Sequence, residues 1–158
     1  MQIFVLRHGQ AEPQQTTDEA RNLTERGRAE VFSNIARSSV DLRELKEIWS
    51  SSLTRAQQTA HIVRDILSAQ GSDILIKTTD LIAPESEPSI LFESLQKANL
   101  PSVLLASHQP FVGKFLDLLC GKPLGTYSMD TSSLALVECE IVAAGCGELR
   151  WLRHVHGQ

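Results

Sequence analysis

Two histidines and two arginines in this chain have neighbours suited to chemistry on an anion. Arg7-His8-Gly9 follows the apolar run Ile3-Phe4-Val5-Leu6. Arg55 ends the segment Ser50-Ser51-Ser52-Leu53-Thr54-Arg55, and His108 lies in Ser107-His108-Gln109-Pro110. Guanidinium groups bind oxyanions through fixed, paired N–H donors. A neutral imidazole can attack phosphorus and form a covalent phosphohistidine, which divides one hard displacement into two easier ones. A second imidazole, when protonated, can donate to a phosphoryl oxygen as charge develops on it. Arg charges beside His8 would disfavour its imidazolium form. Gly9 would permit a tight turn, whose carbonyl could hold one ring nitrogen and leave the other free. No Mg²⁺-type carboxylate cluster flanks these segments, so a mechanism without metal or cofactor is the simpler expectation.

Such a set works only if the fold brings it together. Gln2 to Leu6, Ile48-Trp49, Ile74-Leu75-Ile76 and Val103 to Ala106 are short, β-rich apolar runs that read as strands buried on both faces. Between them the spacing predicts helices over Thr24–Ser38, Thr54–Ser68, Ser89–Ala98 and Pro110–Cys120. Thr54 with Gln57 has the form of a capping box, and Pro110 and Gly121 suit the start and stop of the last helix. Ser133–Val142 and Glu148–Val155 read as a closing strand pair. Strands alternating with helices imply an α/β domain with a mostly parallel sheet. Ligands of such sheets bind beyond the carboxyl ends of the strands, which is where Arg7, His8, Arg55 and His108 fall. An arginine at a helix start opposes the helix dipole, a conflict that a bound anion would remove.

Composition narrows the function further. The 158 residues, with 42% apolar and 22% charged, suit one soluble domain over 1–158. Fifteen bases against 19 acids give a net charge of −4, which argues against binding nucleic acid or an anionic membrane by bulk charge. The bases are ten Arg and five Lys, so anion affinity has to be local. No run approaches the length of a membrane span. Cys120, Cys139 and Cys146 lack a C-x-x-C spacing and read as reduced thiols, consistent with a cytoplasmic protein. His61 reads as a surface helix residue, His154 and His156 as a frayed tail, and Trp49 and Trp151 as packing residues.

Leu6-Arg7-His8-Gly9 resembles the signature of the histidine phosphatase superfamily, with its phosphoglycerate mutase-like fold. Three further segments resemble its motifs in order: Arg21-Asn22-Leu23-Thr24-Glu25-Arg26-Gly27, Ser52-Leu53-Thr54-Arg55-Ala56-Gln57-Gln58-Thr59-Ala60, and Ser107-His108-Gln109-Pro110. The resemblance spans nearly the whole chain and is nearest the small SixA-type phosphohistidine phosphatases, which lack a large helical insertion. It implies a three-layer α/β fold, His8 as the phosphorylated nucleophile, and Arg7, Arg55 and His108 as phosphoryl-holding groups. Arg21 would be an additional substrate contact, in a segment folding over the mouth. The substrate would be a phosphohistidine-bearing protein of a phosphorelay or phosphotransferase system. One departure concerns the general acid of mutase-like members. The corresponding region, Thr79-Asp80-Leu81-Ile82-Ala83-Pro84-Glu85-Ser86-Glu87, offers Glu85 or Asp80 without a secure match. A phosphohistidine substrate relaxes that need, because a protonated imidazole leaves readily. The rival expectations are a small-molecule phosphomonoesterase using Glu85 or Asp80, a catalytically silent phosphate-binding module, and a metal hydrolase built on His8, His108 and a carboxylate.

Overall fold

Strand β1 (Gln2–Arg7) is buried on both faces because its apolar residues alternate between two cores. Ile3 and Val5 join one, while Phe4 and Leu6 join the other. A computed structural model of the chain describes residues 1–15 and 17–155. After β1 come α1 (Glu25–Arg37), β2 (Glu47–Ser50), α2 (Thr54–Ala69), β3 (Leu75–Thr78) and α3 (Pro88–Ala98). Then follow β4 (Ser102–Ser107), α4 (Phe111–Leu119), β5 (Leu134–Glu138) and β6 (Glu148–Arg153). Short 3₁₀ turns at Asp18–Ala20 and Asp80–Ile82 punctuate two of the connections.

The six strands form one sheet in the order β3-β2-β4-β1-β5-β6. The first four are parallel, while β5 and β6 add an antiparallel edge. Val31 and Ile35 of α1 and Val63 and Leu67 of α2 pack on one face with Phe4, Ile48 and Leu104. Leu91 and Leu95 of α3 and Phe111, Phe115 and Leu116 of α4 cover the other with Val5, Trp49 and Leu105. Each fully buried Leu, Ile or Phe contributes about 1.5–3 kcal/mol of transfer free energy, so these two seams hold the layers together. The result is a single three-layer α/β domain, with helices on both faces of one sheet. Among the described residues no helix is long and apolar enough to cross a membrane, and all three cysteines are free.

This topology places the site. β1 and β4 are neighbours, with Arg7 level with Ser107. The chain leaves β1 for α1 on one face and leaves β4 for α4 on the other. The sheet therefore opens at their carboxyl ends, the switch point at which doubly wound sheets bind ligands.

Several local expectations need correction. The helix expected to begin on a Thr54 capping box instead has Leu53 as its N-cap, with no side-chain cap. The Gln57 amide turns away, donating to the Ser51 carbonyl at 2.8 Å and to Thr78 Oγ1 at 3.0 Å. Ile74 is buried, but β3 itself is an edge strand, and Leu75 is 57% exposed. The run Ser133–Val142 stops being strand at Glu138, because the following turn folds over the end of α4. There Gly147 and Gly145 donate backbone N–H groups to Leu119 and Leu118. β6 ends at Arg153 rather than Val155, and Pro110 lies one residue ahead of α4 as its N-cap. His154 is not frayed: its Nδ1 lies 2.7 Å from Ser133 Oγ, and its carbonyl accepts from Arg37. His156 lies outside the described residues. His61 is exposed, Trp49 is buried, and Trp151 packs on Phe4 with the Arg153 guanidinium stacked over it.

Candidate active site

Register brings the two imidazoles side by side. His8 and His108 each follow the last residue of a paired strand, and the His8 N–H donates to the Ser107 carbonyl at 3.0 Å. Their ring centroids are 5.1 Å apart, tilted by 56°. Ser107 is tied down by its hydroxyl, which donates to the Ile82 carbonyl.

The His8 ring is fixed by its own neighbour. Nδ1 lies 2.7 Å from the Gly9 carbonyl, which can only accept, so Nδ1 carries the proton and Nε2 presents a lone pair. Glycine at position 9 answers a packing demand rather than a turn. A Cβ there would stand 2.8 Å from the Gly27 carbonyl oxygen and 2.9 Å from Val31. In return, a Cβ at Gly27 would stand 2.2 Å from the Gln10 carbonyl oxygen. The start of α1 is thus pressed against the loop after His8. It is held there by Thr24, whose hydroxyl accepts from the Gly27 N–H and donates to Gln10 Oε1.

α2 supplies Arg55 and the groups that align it. Thr59, one turn on, donates to the Arg55 carbonyl at 2.8 Å and accepts from the Gly9 N–H at 3.2 Å. One buried hydroxyl thereby couples the loop after His8 to the helix that carries Arg55. Gln58 accepts from the Leu23 N–H and donates to Asn22, anchoring the strap that carries Arg21. The Arg55 guanidinium is 5% exposed, and its Nε–H points at His8 Nε2 from 3.3 Å.

His108 and Ser51 form the opposite wall. His108 Nε2 lies 2.5 Å from Ser51 Oγ, while Nδ1 is buried with no hydrogen-bond partner among the described residues. Arg7 donates through Nη1 to the Met129 carbonyl, and its buried Nε likewise has no such partner. Buried polar nitrogens without a partner are costly, and with the Arg55 guanidinium beside His8 and the His8 and His108 rings 5.1 Å apart they are groups that an anionic ligand would satisfy.

Burial sets the protonation state. The His8 pKa is pushed down to about 4, chiefly by burial, with smaller contributions from Arg55, Arg7 and Arg21 and a partly opposing one from the Gly9 carbonyl. The sequence expectation named the arginines alone, so the main cause was missed. Burial also brings His108 down to about 3, followed by His8 and Arg55. It is therefore neutral before an anion arrives, and a phosphoryl dianion alongside would move it back towards protonation. Burial lowers Arg7 too, against the pull of Asp130.

The remaining candidates lie farther out. Arg21 sits at the mouth, donating through Nε to the Glu12 carbonyl and through Nη1 to Asp18 Oδ1. Glu85 and Asp80 are both exposed on the loop beyond β3. The carboxylate of Asp18, which sequence reasoning missed, lies 3.2 Å from Arg55 and 3.1 Å from Arg21. Ser51, Gln58 and Thr59 were likewise visible only as motif letters. Among the described residues no group of three or more His, Cys, Asp or Glu side chains is placed to hold a metal ion.

A family model, the histidine phosphatase superfamily (branch 1), matches residues 3–76. Phosphohistidine phosphatase SixA of Escherichia coli (strain K12) is 29% identical over 153 residues, covering 96% of this chain and 92% of that protein. The phosphohistidine phosphatase SixA homolog of Haemophilus influenzae is 30% identical over 144 residues, covering 85% and 87%. A solved structure of the protein histidine phosphatase SixA complexed with tungstate shares the fold at a TM-score of 0.84 and 28% identity. It covers 98% of this chain and 97% of its own. On this likeness in sequence and fold, the chain belongs to the histidine phosphatase superfamily and is a phosphatase.

Proposed function

We propose that the chain removes phosphoryl groups from phosphohistidine in proteins, through a covalent intermediate on His8. The observation that carries this reading is the imidazole of His8. Its Nδ1 is engaged by the Gly9 carbonyl, and its Nε2 lone pair faces the buried Arg55 guanidinium. A phosphoryl group seated against Arg55, Arg7 and His108 would meet that lone pair directly. In the first step His8 Nε2 forms a bond to phosphorus, and the P–N bond to the substrate imidazole breaks. The bonding pair returns to the substrate nitrogen. If the substrate ring carries a proton on its other nitrogen, it leaves as neutral imidazole and needs no acid from the enzyme. In the second step water attacks phosphorus and the P–N bond to His8 breaks, its electron pair returning to Nε2; both water protons leave on the product as dihydrogen phosphate, which then equilibrates with solvent. Arg7 and Arg55 hold the equatorial oxygens in both steps, and His108 donates to one once the dianion has raised its pKa. Arg21 contacts the substrate at the mouth.

Support for phosphohistidine as substrate is twofold. The relatives at 29% and 30% identity bear the name phosphohistidine phosphatase. In addition, Asp18, held ionised chiefly by the hydrogen bond from Arg21, has no proton to give an alkoxide. The test compares turnover of a phosphohistidine protein with that of 4-nitrophenyl phosphate, in wild type and His8→Ala, with and without chelator. The reading expects preference for the phosphohistidine protein, indifference to chelation, loss of turnover in His8→Ala and acid-labile phosphate trapped on His8. Turnover confined to the monoester would move the assignment to a small-molecule phosphomonoesterase.

A further inference from the structure

The strap between β1 and α1 lays an internal anion across the two arginines of the mouth. Arg55 donates through Nη1 to the Asp18 carbonyl at 2.8 Å and through Nη2 to Asp18 Oδ2 at 3.2 Å. Arg21 donates through Nη1 to Asp18 Oδ1 at 3.1 Å. The carboxylate thus gives one oxygen to each guanidinium, and the one on Arg55 takes a donor that an entering phosphoryl group would use. The two partners differ in setting. Arg55 is buried and also faces His8, while the Asp18 side chain is 44% exposed at the rim. The negative charge also reaches inward far enough to act on His108.

We infer that Asp18 is a specificity-determining residue, occupying the anion seat between Arg21 and Arg55 and then biasing the mouth towards a cationic leaving ring. This deepens the phosphohistidine reading and rests on it. Two consequences follow from elementary electrostatics. An anion that seeks Arg55 has to displace a carboxylate already bound there, so free phosphate binds more weakly than the bare arginines would allow. Once displaced from Arg55, Asp18 keeps its contact with Arg21 and so stays a negative charge at the rim past which the leaving group departs. Next to it a substrate imidazole keeps its second proton more readily, and that proton allows the ring to depart neutral as its P–N bond breaks. A phenolate or alkoxide develops negative charge against the same carboxylate and is disfavoured.

The test uses Asp18→Asn, with Asp18→Glu as the charge-preserving variant. Three readouts are needed: kcat/KM on a phosphohistidine protein, kcat/KM on 4-nitrophenyl phosphate, and inhibition by inorganic phosphate. For a half-exposed charge a few ångströms away, the expected effects are about five- to tenfold. In Asp18→Asn the phosphohistidine rate falls by that factor, while the aryl phosphate rate holds or rises. Inorganic phosphate also inhibits more tightly, and Asp18→Glu restores the wild-type substrate ratio. Equal losses on both substrates would overturn the inference, leaving Asp18 as a support for Arg55. Unchanged or weaker phosphate inhibition would overturn it too, and that arm does not depend on phosphohistidine. Failure of the parent reading looks different, because wild type itself would then show no phosphohistidine turnover.

Discussion

Burial of two neutral imidazoles makes stability depend on pH in a window where few other groups titrate. The His8 pKa lies at about 4 in the folded protein, against 6.5 for an ordinary histidine. Between pH 7 and pH 5 the unfolded chain therefore takes up a proton at position 8 that the folded chain largely refuses. Stability rises with pH wherever the unfolded state binds more protons, so it falls as pH drops through this window, and the loss levels off only below about pH 4. Integrated from pH 7 to pH 5, the shift removes about 2 kcal/mol for His8. His108, at about 3, acts in the same direction, although mutual repulsion keeps the two shares from being independent. Carboxylates titrate mostly below this range. Urea unfolding of wild type and His8→Asn at pH 7 and pH 5 measures the term directly. The wild-type loss should exceed that of the variant by about 2 kcal/mol, and by more if His108 relaxes once its neighbour is gone. Equal losses in the two proteins would refute the reasoning, placing His8 in a wetter setting where a sizeable fraction is protonated near neutrality.

Three other substitutions address the scaffold and the acid. Gly27→Ala would drive a Cβ to 2.2 Å from the Gln10 carbonyl oxygen. It should cost about 1–3 kcal/mol in urea unfolding and slow turnover by shifting the loop that carries His8. Thr59→Val leaves the buried Gly9 N–H without its acceptor, at about 1–3 kcal/mol. Steady-state kinetics should show kcat falling more than KM changes, because the His8 loop and Arg55 lose their shared tether. Glu85→Gln, at an exposed loop position, should leave phosphohistidine turnover within about twofold of wild type. A much larger fall would make Glu85 the acid of the reaction.

The central strands and the helix faces were legible because each is set by local pattern. β1 and β4 read as continuous apolar runs since both of their faces are covered. The errors fell where a neighbour overrules the local signal. Thr54 and Gln57 satisfy the letter of a capping box, yet the Gln57 amide finds the Ser51 carbonyl and Thr78 across the end of β3. The run Ile74-Leu75-Ile76 looks like the β4 run in sequence, but position in the sheet, not composition, makes β3 an edge and leaves Leu75 exposed. The Ser133–Val142 run is apolar enough to read as one strand, but it leaves the sheet after Glu138 and the turn that follows bonds back to Leu118 and Leu119 at the end of α4.

At the site, position was readable and cause was not. Placing Arg7, His8, Arg55 and His108 at strand ends is enough to bring them to one rim. It does not show that burial rather than arginine charge keeps His8 neutral, because burial is a property of the closed fold. Gly9 shows the same gap, since a glycine after a strand suggests a turn and the contact that requires it comes from Gly27 in another element. Asp18 was invisible for a related reason. In sequence it is one acid among 19, and only the course of the strap sets it between Arg21 and Arg55. The local cation site of this acidic protein thus carries its own counter-charge. Arginine charge left unpaired at such a site would attract anions indiscriminately. A carboxylate resting on those arginines quenches that attraction until a ligand arrives whose own contacts are strong enough to replace it.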